Sequence, residues 1–266
     1  MKICIGIGYP LKQSRSPIMH NAAYKKLGID DQFVYTFFEV KPQYLNMAVD
    51  GVKALGIRGM SITMPFKQAV MKYLDAIDKD AKIIGAVNTI VNDNEKLIGY
   101  NTDWIGAIAA LEQKTKLKGK KVAMLGAGGA ARAIVYGLVK KGAKVKIFNR
   151  SKDKAKKLAK QFNCEFGGLD TLKEIARMDI FINATSVGMI EDKSVIDKKF
   201  LNKKQIVFDV VYLPKQTQLI KEAISVGAKV IFGYEMLLYQ GVAQFELYTK
   251  LKAPVDTMRK ALENSL

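Results

Sequence analysis

The sequence predicts an α/β fold in two domains: an N-terminal α/β domain with a mainly parallel sheet and a C-terminal doubly wound domain, with the final helices packing back on the first. Three observations carry this expectation. Short β-type runs alternate with helical stretches through most of the chain. A glycine loop opens between two such runs near the middle. The length of 266 residues is large for one core and comfortable for two.

Residues 2–8 read as a strand, and residues 16–27 as a helix opened by Ser16-Pro17, with the serine as cap and the proline in the first turn. A strand over 33–40, a helix over 42–55, a buried strand over 59–63 and a helix over 66–74 follow. Residues 89–92 and 97–100 form a hairpin across Asp93-Asn94-Glu95-Lys96. Residues 103–113 are helical, and the Lys-rich stretch 114–120, which contains Gly119, reads as a linker. From Lys121 the strand–helix rhythm resumes, with strands near Val122, Val145, Ile180, Val207 and Val230. After Gly233 the chain is helical, with apolar residues at Met236, Leu237, Val242, Phe245 and Leu251. The expected domains are therefore 1–104 with 238–266, and 105–237.

The mid-chain loop has a specific physical meaning. After the apolar run K-V-A-M-L at 121–125, Gly126, Gly128 and Ala131 fit G-x-G-x-x-A. The first glycine makes a tight turn, the second lets a pyrophosphate approach the backbone, and the small third residue lets the helix pack on the strand. The following helix, to about residue 141, offers its N-terminal amides to the anion. The next strand, K-V-K-I-F at 144–148, ends where an NAD site carries an acid for the ribose 2′-hydroxyl. Here that position holds Asn149 and Arg150, with Lys152 and Lys154 just beyond. A guanidinium binds a 2′-phosphate bidentately whereas a carboxylate repels it, so this Rossmann domain is expected to take NADP.

Composition excludes several classes. Hydrophobic content of 49% and charged content of 26% are those of an ordinary globular protein. No apolar segment is long enough to span a bilayer, and M-K-I-C-I-G-I-G enters a strand without a signal-peptide pattern, so no membrane partner and a cytoplasmic location are expected. Cys4 and Cys164 form neither a disulfide framework nor a metal pattern, and the single histidine, His20, leaves no zinc motif; no metal is expected. Proton transfer then falls to Lys, Asp, Glu or Tyr. The net charge of +18 comes mostly from dispersed lysines without a nucleic-acid module, so it reads as a field for anionic ligands, with no nucleic-acid partner.

Three motifs of the first domain leave strand ends, where open α/β sheets place ligands. Ser14-Arg15-Ser16-Pro17 with His20-Asn21 puts two hydroxyls at a helix N-terminus, suited to a carboxylate; alone it also reads as a helix cap. In S-I-T-M-P-F-K, Pro65 sets the turn and projects Lys67 back toward the strand ends, where an ammonium can donate a proton to a carbonyl oxygen; alone it also reads as a solvated lysine. G-A-V-N-T and G-Y-N-T-D bring Asn88 and Asp103 out of β-type runs, with Asp103 also expected to cap its helix.

Together with N-R-S, N-A-T-S-x-G-M at 183–189, D-x-x-Y-x-P at 209–214 and G-Y-E-M-L-L-Y-Q at 233–240, these motifs occur in an order that resembles the shikimate dehydrogenase family along essentially the whole chain. The resemblance implies reversible NADPH-dependent reduction of 3-dehydroshikimate to shikimate, in the route to chorismate and aromatic amino acids. It implies that Ser14 and Ser16 hold the substrate carboxylate with Thr63 and Tyr212 nearby. It makes Lys67 and Asp103 an acid/base dyad on the ring hydroxyls, helped by Asn88 and Gln240, with the proton's carrier at each stage left open. For the cofactor it implies Gly126, Ala127, Gly128, Gly129 and Ala130 on the pyrophosphate, and Asn149, Arg150, Ser151 and Lys154 at the 2′-phosphate. Gly233 and Met236 then lie near the nicotinamide, and Thr185 and Val210 are also cofactor-binding. The partner expected is the small-molecule substrate, with the chain a monomer or homodimer.

The chain departs from the family pattern at two places: Ser61 stands where the family usually has Asn in N-V-T-x-P-x-K, and Tyr248-Thr249-Lys250 where it has W-T-G. The alternatives are a quinate/shikimate dehydrogenase that uses NAD, and a non-catalytic dinucleotide-binding regulatory protein. Ser16 and Arg150 argue against the first, and Lys67 with Asp103 against the second. Methylenetetrahydrofolate dehydrogenase shares the two-domain plan but lacks the two-serine site.

Overall fold

The run C-I-G-I-G fills the buried part of the first strand, β1 (Lys2–Gly8), whose last five residues are all buried. Such unbroken burial is what a central parallel strand requires, with both faces covered. After it come α1 (Ser16–Lys26), β2 (Phe33–Glu39), α2 (Leu45–Ala54) and β3 (Gly59–Ile62). Two short elements, β4 (Ala76–Ile77) and α3 (Lys79–Ile84), precede the hairpin of β5 (Thr89–Asp93) and β6 (Lys96–Tyr100), and α4 (Asp103–Glu112) follows. The computed structural model describes residues 1–12 and 14–266. It divides into two units, Met1–Ile105 with Leu238–Ser265, and Gly106–Leu237 with Leu266.

In the first unit the sheet order is β2-β1-β3-β5-β6-β4. β1 is parallel to β2 and β3, β5 is antiparallel to β3 and β6, and β4 is parallel to β6. Ile5, Ile7, Val49, Met60, Ile62, Phe66 and Val70 build the core beneath it.

The second unit begins its sheet with β7 (Lys121–Leu125), followed by α5 (Gly129–Lys140), β8 (Lys144–Phe148), α6 (Lys152–Phe162) and β9 (Glu165–Gly167). Then come β10 (Ile180–Asn183), β11 (Ile206–Asp209), α7 (Gln218–Ser225) and β12 (Lys229–Ile231). The order β12-β11-β10-β7-β8-β9 is parallel throughout and reverses its direction of travel beside β7, the doubly wound pattern. α6 turns Ala155, Leu158, Ala159 and Phe162 inward and its lysines outward. The chain closes with α8 (Gly233–Thr249) and α9 (Val255–Glu263); α9 lies against α1, so the final helices pack on the first domain's own elements, as expected.

Several local expectations are corrected. The helix expected over 42–55 is a 3₁₀ turn, Pro42–Tyr44, running into α2. The helix expected over 66–74 is only a 3₁₀ turn, Ala69–Tyr73; its start has no side-chain cap, and Phe66 and Val70 anchor the segment in the core. Ser16 does not cap α1: it is the first helical residue, Arg15 holds the cap position, and the Ser14 hydroxyl accepts the Ser16 N–H at 3.3 Å. The stretch 114–120 is not an interdomain linker but part of the second unit, anchored by the buried Leu117 and by Gly119 N–H on the Gly142 carbonyl.

Candidate active site

Strand direction gathers the candidate residues of the first unit at one end of its sheet. β1 and β3 run parallel, so Ser14 and Ser16 after one and Thr63 and Lys67 after the other leave the same edge. β5 runs the other way, with Thr89 opposite Ser61, so Asn88 enters at that edge; β6 returns to it and delivers Asp103.

Lys67 Nζ donates to Asp103 Oδ2 at 2.6 Å, with side chains only 16% and 6% exposed. Asn88 Nδ2 donates to the other carboxylate oxygen at 2.9 Å and to Thr102 Oγ1 at 2.9 Å, while its Oδ1 accepts from Thr102 N–H at 2.7 Å and Thr89 Oγ1 at 2.9 Å. Gln240 Oε1 lies 3.5 Å from Asn88 Nδ2. Lys67, Asn88, Asp103 and Gln240 are thus brought together. A shielded ammonium held by one carboxylate, itself held by an amide, is a fixed proton donor for an oxygen placed beside it.

The Asp103 carboxylate does not cap α4. Asn101 does: its Oδ1 accepts Asp103 N–H at 3.1 Å and Trp104 N–H at 3.4 Å, and its Nδ2 ties to the Ala86 carbonyl at 2.9 Å. This frees Asp103 for Lys67. An Asn two residues ahead of an acidic helix start is a cap signal, and it was legible in Asn101-Thr102-Asp103. Thr63 is fixed through its backbone, N–H to the Ile7 carbonyl at 2.9 Å and carbonyl to Phe66 N–H at 3.0 Å. Ser14 and Ser16 are half-buried.

In the second unit the loop after β7 sits where strand order reverses. Gly126 has φ +119, and a Cβ there would come within 2.8 Å of the Ala184 carbonyl, so only glycine turns the chain here. Gly128 caps α5 and faces open space, with nothing within 4 Å of a built Cβ. A cavity of about 200 Å³ is lined by Ala127, Gly128, Asn149, Arg150, Ser151 and Lys154. Two cations and no carboxylate line it, beside the amides of Gly129 and Ala130 in the first turn of α5. These residues fit a dinucleotide that carries an extra phosphate. Asn149 Nδ2 also braces the turn by donating to the Ser151 carbonyl at 2.9 Å.

Sequence reasoning gave no role to Asn183 and Asp209, which end β10 and β11. Asn183 Nδ2 donates to Asp209 Oδ1 at 2.9 Å, and its Oδ1 accepts Thr185 N–H at 3.0 Å and Thr185 Oγ1 at 2.7 Å. Asp209 also accepts Val211 N–H at 3.1 Å and Thr217 Oγ1 at 2.6 Å. Burial pushes its carboxyl up to about 6 against these hydrogen bonds. The tie fixes the segments bearing Thr185, Val210 and Tyr212, which all belong to this unit. Gly233 sits hard against the Val210 and Val211 carbonyls and Met236 is buried one turn later. The described residues hold no helix long and apolar enough to cross a membrane and no cluster of metal-ligating side chains.

Family models match along the chain: the shikimate dehydrogenase substrate binding domain over residues 7–90, shikimate / quinate 5-dehydrogenase over 108–218, and the shikimate 5′-dehydrogenase C-terminal domain over 233–263. A Pyrococcus abyssi protein named shikimate dehydrogenase (NADP(+)) is 47% identical over 261 residues, covering 98% of this chain and 97% of the relative. A crystal structure of shikimate dehydrogenase in complex with NADP+ is 43% identical with TM-score 0.95, covering 100% of this chain and 96% of that one. A Thermus thermophilus shikimate 5-dehydrogenase in complex with NADP(H) and shikimate is 32% identical with TM-score 0.94 over all of both chains.

Proposed function

The chain belongs to the shikimate dehydrogenase family, and we propose that it catalyses the reversible NADPH-dependent reduction of 3-dehydroshikimate to shikimate, a step toward chorismate and aromatic amino acids. The observation that carries the chemistry is the shielded Lys67–Asp103 pair held by Asn88 at the sheet edge that also bears Ser14, Ser16 and Thr63.

In this reading the hydroxyls of Ser14 and Ser16 hold the substrate carboxylate with Thr63 nearby, three neutral donors that hold an anion without competing charge. Lys67 Nζ gives its proton to the ring carbonyl oxygen during reduction and recovers one from the hydroxyl during oxidation. Asp103 holds the ammonium in place and accepts from a ring hydroxyl, while Asn88 and Gln240 orient that carboxylate and the ring. Bound NADP accepts a hydride, and NADPH donates one. Gly126, Ala127, Gly128, Gly129 and Ala130 would hold its pyrophosphate, Asn149, Arg150, Ser151 and Lys154 its 2′-phosphate, and Thr185, Val210, Gly233 and Met236 its nicotinamide end. The same reading carries a cytoplasmic location, a monomeric or homodimeric state, and no nucleic-acid or membrane partner.

Lys67→Ala and Asp103→Asn test the assignment. Each should lower kcat for shikimate oxidation by about 10²–10⁴-fold while far-UV circular dichroism remains that of the wild type. A Lys67→Ala enzyme that keeps wild-type turnover overturns it.

A further inference from the structure

The two departures from the family pattern, Ser61 and Tyr248, meet in space. Tyr248 OH lies 3.0 Å from Ser61 Oγ. Tyr35 OH donates to the same Oγ at 2.7 Å, and Ser61 in turn donates to Gln244 Oε1 at 3.0 Å. A serine hydroxyl has one proton and two acceptor positions. With its proton on Gln244, Ser61 accepts from both tyrosines, and all three of its positions are used.

The direction continues toward the site. Gln244 Nε2 donates to Thr89 Oγ1 at 3.0 Å and toward the Asn88 carbonyl at 3.4 Å. Thr89 has then accepted, and its own proton goes to Asn88 Oδ1 at 2.9 Å. That bond joins the one from Thr102 N–H in holding the side-chain Oδ1 of Asn88 away from Asp103, so the amide turns its Nδ2 toward the carboxylate. The tyrosines that feed the chain are themselves fixed: Tyr35 reaches over Gly6 and stacks on His20 at 4.4 Å, and the Tyr248 ring rests on Gly59.

We propose that Ser61 and Gln244 are positioning residues for the Lys67–Asp103 pair, acting through a one-way hydrogen-bond chain that ends on the Asn88 amide. The inference rests on the functional reading above. In a series of linked bonds each member polarises the next, so cutting the chain anywhere loosens the same end point. Ser61→Ala removes the hub, and Gln244→Leu removes the link to Thr89.

The test is steady-state shikimate oxidation by the full chain. Ser61→Ala and Gln244→Leu should each lower kcat about tenfold with KM for NADP unchanged. The double variant should be no slower than the worse single one, since both cut one chain. Ser61→Thr, which keeps the hydroxyl, should recover most of the loss. Should Ser61→Ala not fold, Tyr248→Phe, which deletes one hydroxyl and keeps the ring on Gly59, should lower kcat about threefold. Variants that keep wild-type kcat beside an active wild type, or losses that add and follow thermal stability, overturn this inference alone. A wild type inactive on shikimate overturns the functional reading and this inference with it.

Discussion

Arg150 stands at the end of β8, where a site built for a free ribose hydroxyl carries a carboxylate, and the difference is one charge of opposite sign. It is exposed at the rim of the cavity that Lys154 and Ser151 share, so its attraction for a phosphate is screened by salt but undiminished by competing acids among the lining residues. Arg150→Asp should raise KM for NADP about 10–100-fold and shift preference toward NAD, measured as the ratio of kcat/KM for the two cofactors; an unchanged ratio removes Arg150 from cofactor selection. Lys67 is a different kind of cation. Surface pairs such as Lys193–Glu191, both more than two-thirds exposed, contribute little, whereas Lys67–Asp103 is shielded and its partner is held by a third residue. Shielding together with a partner carboxylate that is itself held thus sets Lys67 apart from such surface pairs.

At the scale of elements, what the sequence made legible followed periodicity and punctuation. β1, β3, β7 and β8 are short apolar runs bounded by glycine or polar turns, and their boundaries agree with expectation to within a residue. The hairpin of β5 and β6 turns across Asn94 and Glu95, both at positive φ, where Asn was a readable signal. Elements too short to repeat their own pattern were missed. β4 has two residues and α3 six, although Asp78, which accepts Asp80 N–H, and Gly85 at φ +71 bracket α3 with ordinary cap chemistry. β9 is an edge of three residues in a polar stretch. For the candidate site, motif residues named its members but not their division of labour: which of Asn101 and Asp103 caps α4 is settled only by where Lys67 lies. Gln244 gave no signal, because its partners Ser61 and Thr89 are distant in sequence and converge only when β3 and β5 pair.

For the whole molecule, the two units hold buried titratable groups of opposite tendency. In the first, His20 is fully buried among Tyr24, Tyr35 and Phe245, and burial pushes its imidazole down to about 3. The unfolded chain therefore binds a proton there that the folded unit refuses between about pH 6.5 and 3, and stability falls as pH drops through that window. In the second, Asp209 is raised from 3.8 to about 6, so the folded unit takes up a proton before the unfolded chain does, and stability rises as pH drops from about 6 to 3.8. Hydrogen exchange, corrected for intrinsic rates, should show core amides of β1 and β3 losing protection between pH 6.5 and 4.5 while those of β10 and β11 hold or gain; the reverse order contradicts these environments. The net charge of +18 gives both units a field that attracts an anionic substrate and an anionic cofactor. That shared demand is tested most directly by one measurement on the full chain, nicotinamide absorbance after mixing it with shikimate and NADP. The absorbance should rise, and rise more slowly when quinate replaces shikimate or NAD replaces NADP; no rise with any of these pairs at any pH contradicts the account.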